Sequence, residues 1–228
     1  MTIRASDISG SEPVAALGLQ VPAAKSSQLY REHGKRLFDL VLVVLSSVFV
    51  VPLVLILALC VALDGHNPFY WQYRVGRNGR TFRLWKLRTM VPNADEKLEA
   101  YLEADPEARH EWDTRQKLKR DPRITRVGRL LRKSSADELP QLLNVLKGEM
   151  SLVGPRPMME AQREMYPGKA YYRLRPGITG TWQISDRNDC SFRCRAQYDD
   201  LYEGNMSLRG DIRILRGTVT VVLRCTGY

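Results

Sequence analysis

From Leu40 to Leu63 the chain reads LVLVVLSSVFVVPLVLILALCVAL, with no charged side chain anywhere in the run. A helix of that length reaches roughly 36 Å at about 1.5 Å per residue, enough to cross a bilayer core of about 30 Å. The run is too long and too far from the N-terminus for a signal peptide, and no convincing small-residue cleavage site follows it. A buried core helix is the alternative, but a soluble domain of ordinary size rarely needs so long a stretch that is apolar all round. Two details argue against simple crossing. Pro52 lies in the middle, where it removes a backbone hydrogen bond and bends a helix. Cations stand on both flanks: Arg31, Lys35 and Arg36 before, and Arg74, Arg77, Arg80, Arg83, Lys86 and Arg88 after. The positive-inside rule holds both ends on the cytoplasmic face, which a helix broken at Pro52 and returning to its side of entry satisfies. A spanning helix kinked by proline is the competing reading.

The remaining chain is sized for one domain, since 228 residues leave no room for a large multidomain enzyme. Thirty-five Lys and Arg against 25 Asp and Glu give a net charge of +10, which calls for an anionic partner such as nucleic acid, a phosphorylated substrate or an acidic lipid. Four cysteines do not make a disulfide framework in a chain this long. Cys190 and Cys194, spaced C-x3-C without a nearby histidine, read as unpaired thiols in a reducing compartment rather than as a zinc site. Residues 1–34 read as a disordered tail, 35–67 as the membrane segment and 68–228 as the functional domain.

Phe69 to Met90 reads as two strands about an Asn78-Gly79 turn. Asn93 to Leu118 has a helical period interrupted at Asp105-Pro106, and predicts a solvated helical pair. SLVGPRP (Ser151–Pro157) and LRPGITGTWQI (Leu174–Ile184) read as loops. The stretch Ile212–Leu223 suits either an interfacial amphipathic helix or an internal packing element. Leu139, Leu142, Leu143 and Leu146 form an apolar stripe at helical spacing, and just before it stand two adjacent carboxylates, Asp137 and Glu138, at the end of a basic run.

One reading of that pair is structural. Ser135-Ala-Asp-Glu138 fits a capping box, with Asp137 favouring the helix N-terminus. Pro140 weakens it, because a helix starting nearer Asp137 puts the proline in its first turn, where its missing N–H is tolerated. The carboxylates then stand at a helix entrance among cations, and Asp137 is expected to have a lowered pKa and to be ionised without help from a base. Such a group can attack a diphosphate if cations and a divalent metal neutralise the phosphate oxygens. Mg²⁺ needs only one or two carboxylates plus substrate phosphates.

KRLFD, Pro52, RVGRNGRTFRLWKLRTM, DPRITRVGRLLRK, ADELPQLLNVLKGEMSLVGPRP and RPGITGTWQ, taken together and in order, resemble the bacterial sugar transferases, the monotopic phosphoglycosyl transferases. The likeness runs from about Lys35 to the C-terminus and is nearest to the small ExoY-type group of exopolysaccharide synthesis. It implies transfer of a hexose 1-phosphate, galactose before glucose, from a UDP-hexose to undecaprenyl phosphate, with release of UMP. It also implies Asp137 as nucleophile, Glu138 as partner in holding Mg²⁺ and orienting the acceptor, and phosphate-binding roles for Arg132 and Arg156, with Lys86 and Arg88 as weaker candidates. Pro52 falls where the family's re-entrant helix breaks. Two departures are Ala136 in place of a leucine before the dyad, and Val51 in place of a serine before the proline, which leaves Ser46 and Ser47, or the proline alone, to manage the freed carbonyl.

The expected architecture is therefore α+β but mostly α: a monotopic membrane protein with a proline-broken re-entrant helix, a small β-hairpin and a helical catalytic domain on the cytoplasmic face of a bacterial inner membrane. Expected partners are the two substrates and membrane lipids, with self-association left open. A glycosyltransferase that moves a sugar without its phosphate commonly carries Asp-x-Asp, which does not occur here. A non-catalytic tether for nucleic acid lacks support, because the aromatics are not interleaved with the basic run as a stacking surface requires.

Overall fold

The computed structural model describes residues 28–115, 118, 120–185 and 192–223. The apolar run forms α1 (Lys35–Ala62), entered through a π-helical turn at Tyr30–Gly34, so residues 28–34 are helical and belong with α1 rather than with a disordered tail. Tyr30–Ala62 has the length and composition to cross a membrane, with a mean hydropathy of 3.1 over an 18-residue window within it. The helix continues through Pro52, so the break expected there is a bend within one helix and not an interruption of it. Ser46 and Ser47 do not take up the carbonyl that Pro52 frees, which belongs to Val48. Their hydroxyls donate to Val43 O and Val44 O at 3.1 and 2.7 Å, one turn back.

Two ends of α1 rest on one body. Near its start, Val43 packs with Phe82, Leu84, Val145 and Met150; near its end, Ala58 and Val61 pack with Leu87 and Leu131. Between them only a narrow stripe, Ser46, Ser47, Val50, Val54 and Leu57, is partly covered, while Val48, Phe49, Leu55 and Ile56 are exposed. The first turns of α1 are fastened by buried charge. Asp39 accepts from Ser151 Oγ at 2.7 Å and Leu152 N at 3.2 Å, and Lys35 Nζ lies 3.4 Å from Asp39 and 2.9 Å from Asp211. Tyr30 and Tyr202 hydroxyls donate to the two oxygens of Asp211 at 2.7 and 2.8 Å. Such a network is stable only because every buried oxygen has a donor.

After α1 come β1 (Phe69–Val75) and β2 (Thr81–Leu87), an antiparallel hairpin with Tyr70 opposite Lys86 and Val75 opposite Thr81. The turn is where the Asn-Gly pair placed it, although the loop spans five residues, with φ of 57° at Asn78 and 72° at Gly79. The helical pair follows as α2 (Ala94–Ala104) and α3 (Pro106–Arg115) around a small core of Leu98, Leu102 and Ala108. Asp105 Oδ1 caps α3 by accepting from Glu107 N and Ala108 N, with Pro106 at the first helical position. The excursion is pinched at its base by a bridge between Met90 and Ile124.

Then come α4 (Arg126–Ser134), a 3₁₀ segment at Ala136–Gln141, α5 (Leu142–Lys147), β3 (Ser151–Val153), the single-turn α6 (Ala170–Arg173), β4 (Gly177–Thr179), the single-turn α7 (Thr181–Ile184), α8 (Phe192–Gly204) and α9 (Leu208–Leu223). The two segments read as loops thus contribute a short parallel pair, Ser151 opposite Gly177 and Val153 opposite Thr179. A Cβ on Gly177 would lie 2.1 Å from Gly154 N, so the pairing depends on glycines that meet only in three dimensions. Helix α9 packs inward through Ile214, with Val153, Leu174, Tyr202 and Met206, and leaves Val219 exposed. Cys194 is disulfide-bonded, which corrects the reading of unpaired thiols at that position. Cys60 is free, and Cys190 lies outside the described residues.

Candidate active site

The dyad does not begin an α-helix. Ser135 takes a left-handed conformation (φ 56°) and closes α4, its side chain capping nothing, so the capping box does not form. The chain re-enters as the 3₁₀ segment carrying Asp137 and Glu138, with Pro140 inside it, before α5 starts at Leu142. That tighter turn shifts the phase of the leucine stripe. Asn144 and Val145 are the buried positions of α5, while Leu143 and Leu146 are exposed. Asn144 ties this segment to the hairpin, donating to Arg83 O at 2.7 Å and accepting from Trp85 N at 3.2 Å.

Asp137 is 8% exposed. Lys86, reaching across from β2, places Nζ 2.7 Å from Glu138 Oε1 and 3.8 Å from Asp137 Oδ2. Burial raises the Asp137 pKa above the usual carboxylate range. Lys86 opposes that most, the Glu138 charge adds to it, and Arg132 opposes it. This reverses the lowered pKa expected from neighbouring cations alone: removal from water outweighs them. A carboxylate held this way is a stronger nucleophile once ionised, because its charge is less stabilised in the ground state.

Arg132 is fixed by its Nε donating to Thr89 Oγ1 at 2.9 Å, and its charge acts on both Asp137 and Asp121. Its position depends on the closeness of α4 to the strand end. A Cβ on Gly128 would lie 2.1 Å from Thr89 O, so only glycine admits the approach. Asp121 is a turn residue, accepting from Arg123 N at 3.0 Å and holding the Arg123 guanidinium in a fork, and Arg123 in turn stacks on Trp112 with 5.1 Å to the ring centroid.

Lys86 is therefore brought to the dyad and Arg88 is not. The Arg88 guanidinium is committed to Asp64 at 2.6 and 2.8 Å and to the carbonyls of Val61, Asn67 and Met90, clamping the end of α1 to the hairpin. Arg156 belongs to a second basic group. It stacks over Trp182 at 6.0 Å, as Arg195 does at 5.5 Å, and the charges of Arg74, Arg156 and Arg195 repel one another. Two buried donors, Nε1 of that same Trp182 and Nε2 of the next residue, Gln183, have no hydrogen-bond partner among the described residues. Arg74 and Lys86 lie on one face of the hairpin, because Arg74 pairs with Phe82 and Tyr70 with Lys86, four residues along the strand. That places their backbones about 13 Å apart. Sequence reasoning missed Thr89, Arg74, Trp182, Gln183 and Arg195. Strand alternation alone would have put Arg74 beside Lys86. A surface cavity of about 520 Å³, lined by residues including His66, Asn93 and Lys97, contains neither dyad residue.

The donor set suits Mg²⁺ in kind. It offers two adjacent carboxylates that already attract a cation, Lys86, and no soft ligand; no cluster of three metal-binding side chains occurs among the described residues.

Fold and site together define a protein with one long apolar helix laid on a small α+β body, and an acidic pair, its aspartate buried, under the charges of Lys86 and Arg132. The chain belongs to the bacterial sugar transferase family, whose model matches residues 30–225. It is 51% identical over 195 residues to the UDP-galactose-lipid carrier transferase of Erwinia amylovora, covering 85% of this chain and 41% of that protein. It is 46% identical to the exopolysaccharide production protein ExoY of Sinorhizobium fredii, covering 85% of this chain and 87% of that one. It is also 46% identical to the undecaprenyl-phosphate galactose phosphotransferase of Salmonella typhimurium, covering 95% of this chain and 45% of that protein. The chain thus spans less than half of two of these relatives and most of the third.

Proposed function

We propose that this protein transfers a hexose 1-phosphate from a UDP-hexose to undecaprenyl phosphate, starting an exopolysaccharide repeat unit at the cytoplasmic face of a bacterial inner membrane. Galactose is the favoured sugar, following the names of two relatives, with glucose next. The observation that carries the reading is Asp137: a carboxylate nearly removed from water yet set between Lys86 and Arg132.

In this mechanism an Asp137 carboxylate oxygen attacks the sugar-bearing phosphorus. The bond from that phosphorus to the bridging oxygen breaks, and UMP leaves with the electron pair. An oxygen of undecaprenyl phosphate then attacks the same phosphorus, freeing Asp137 and forming a polyprenyl diphosphate sugar. Lys86 and Arg132 offset the charge that gathers on the phosphate oxygens, and Glu138 holds Lys86 and orients the acceptor. Asp137 and Glu138 would also hold Mg²⁺, which supplies further neutralisation of phosphate charge. The basic group at Arg74, Arg156 and Arg195, with the free donors of Trp182 and Gln183, receives the nucleotide's phosphate. Both ends of α1 stay on the face of entry, as their packing on one body favours.

The direct test is the nucleotide released when membranes containing the protein are given undecaprenyl phosphate and a panel of UDP-sugars. UMP supports phosphosugar transfer, whereas UDP would show transfer of the sugar alone. A second expectation concerns pH. Because burial favours neutral Asp137, activity should fall with decreasing pH at values above the ordinary aspartate range. Lys86 most opposes that shift, so Lys86→Met should move the acid limb of kcat/KM upward and lower its plateau about 10²-fold. A limb that stays in place would remove Lys86 from the electrostatics of Asp137.

A further inference from the structure

The hairpin carries an exposed aromatic surface that the transfer reaction does not use. Strand register puts Phe69, Trp71 and Tyr73 of β1 on the same face as Arg83, Trp85 and Leu87 of β2. Trp71 and Tyr73 are 40% and 49% exposed, and they meet edge to face with centroids 5.2 Å apart. The Arg83 guanidinium lies over them, 4.6 Å from the Trp71 ring and 5.9 Å from that of Tyr73. At the other end of this face Leu87 is fully buried, against Ala58 and Val61 of α1. The aromatic face is therefore continuous with the end of the apolar helix, and the Arg88 clamp on Asp64 and the Val61 carbonyl makes the two move as one piece.

We propose that this face is a second membrane contact, lying along the headgroup region of an anionic lipid surface and fixing the orientation of the site above it. Ringed side chains with one polar end favour that zone over both water and hydrocarbon. From Phe69 to Met90 the sequence holds Arg74, Arg77, Arg80, Arg83, Lys86 and Arg88 and no carboxylate. Of these, Arg83 lies on the aromatic face, with Arg77 and Arg80 in the turn at its end. Arg74 and Lys86 are on the other face, and Arg88 is paired with Asp64. The first three cations attract anionic lipid and repel the same face of a second copy. Lys86 stands on the opposite face of the hairpin, so a surface-bound hairpin turns its catalytic side toward the body. The inference rests on α1 lying in the bilayer.

The test uses the full chain reconstituted into phosphatidylcholine vesicles, with and without phosphatidylglycerol, whose acyl chains are brominated near the headgroup. Flotation reads attachment and tryptophan emission reads contact. The expected result is flotation together with quenching that deepens with phosphatidylglycerol. Trp71→Phe should cut the quenchable emission about two-fold, since Trp71 and Trp85 are the two indoles on this face, while Trp112→Phe leaves it unchanged. Phe keeps the ring at an exposed position, so folding is preserved. Protein that floats but loses no quenching in Trp71→Phe overturns the inference and leaves the α1 reading intact. Protein that fails to float overturns both. Crosslinking of Tyr73→Cys between copies, with emission unquenched, assigns the face to self-association instead.

Discussion

Asp137→Asn should abolish turnover, lowering kcat by at least about 10⁴-fold while the protein stays folded. The amide fills the same volume at a position that is 8% exposed and relieves the desolvation that raises the carboxylate's pKa, so stability should hold or improve slightly. What is lost is the anionic oxygen that, in the proposed mechanism, bonds to phosphorus. Glu138 has the different task of anchoring Lys86, whose Nζ lies 2.7 Å from its Oε1. Glu138→Gln should therefore leave measurable activity, and the contrast between neighbouring carboxylates separates a nucleophile from a general need for negative charge. Turnover of the Asn variant within tenfold of the parent would remove the covalent step from the account.

The second large effect is structural. Asp39→Ala should destabilise the protein by about 3–5 kcal/mol, the usual result of removing one partner from a buried, hydrogen-bonded charge network. In a chain of this size that is a fall in Tm of about 10 °C. The loss arises from three places at once: Ser151 Oγ and Leu152 N lose an acceptor, and Lys35 keeps only Asp211. Because Asp39 joins the first turns of α1 to β3, the variant should also loosen the helix from the body. The exposed pair Glu99–Arg109, 3.6 Å apart, is the control, and Glu99→Ala should change stability by no more than about 0.5 kcal/mol. A melting shift of only a degree or two for Asp39→Ala, measured in detergent, would show that α1 is held by apolar contact alone.

Asp39 also illustrates what a sequence can and cannot disclose. The hairpin, the proline-capped break between α2 and α3, and the apolar helix were all legible because each is decided by neighbours in the chain. Asn78-Gly79 takes positive φ in any context, and Pro106 starts a helix wherever Asp105 can cap it. In the sequence Asp39 is the last residue of the KRLFD motif, with no partner in view. Its role depends on Ser151 and Asp211, more than a hundred residues away. The same holds for β3 and β4, whose pairing requires Gly154 and Gly177 to touch. In α5 the leucine spacing was read correctly as helical. The face it buries was misassigned, because the 3₁₀ segment at Pro140 resets the phase.

The site divides in the same way. The dyad and Arg132 stand close in sequence, and Lys86 joined them through a motif already quoted. Arg88, from that same motif, turned to the end of α1, a choice set by where Asp64 lies. The rise in the Asp137 pKa is a sum over everything that excludes water from it, and charge counting along the chain gave the opposite sign. The second basic group draws on Arg74, Arg156, Trp182 and Arg195, four separate stretches that the fold alone assembles.

The claim beneath the whole account is that the sugar phosphate rests on the protein between donor and acceptor. Mass spectrometry of protein incubated with its UDP-sugar, acceptor withheld, tests it most directly. The prediction is a hexose-phosphate adduct on the peptide containing Asp137, formed together with an equal amount of UMP and discharged when undecaprenyl phosphate is added. Protein that remains unmodified, and releases UMP only once the acceptor is present, would contradict it.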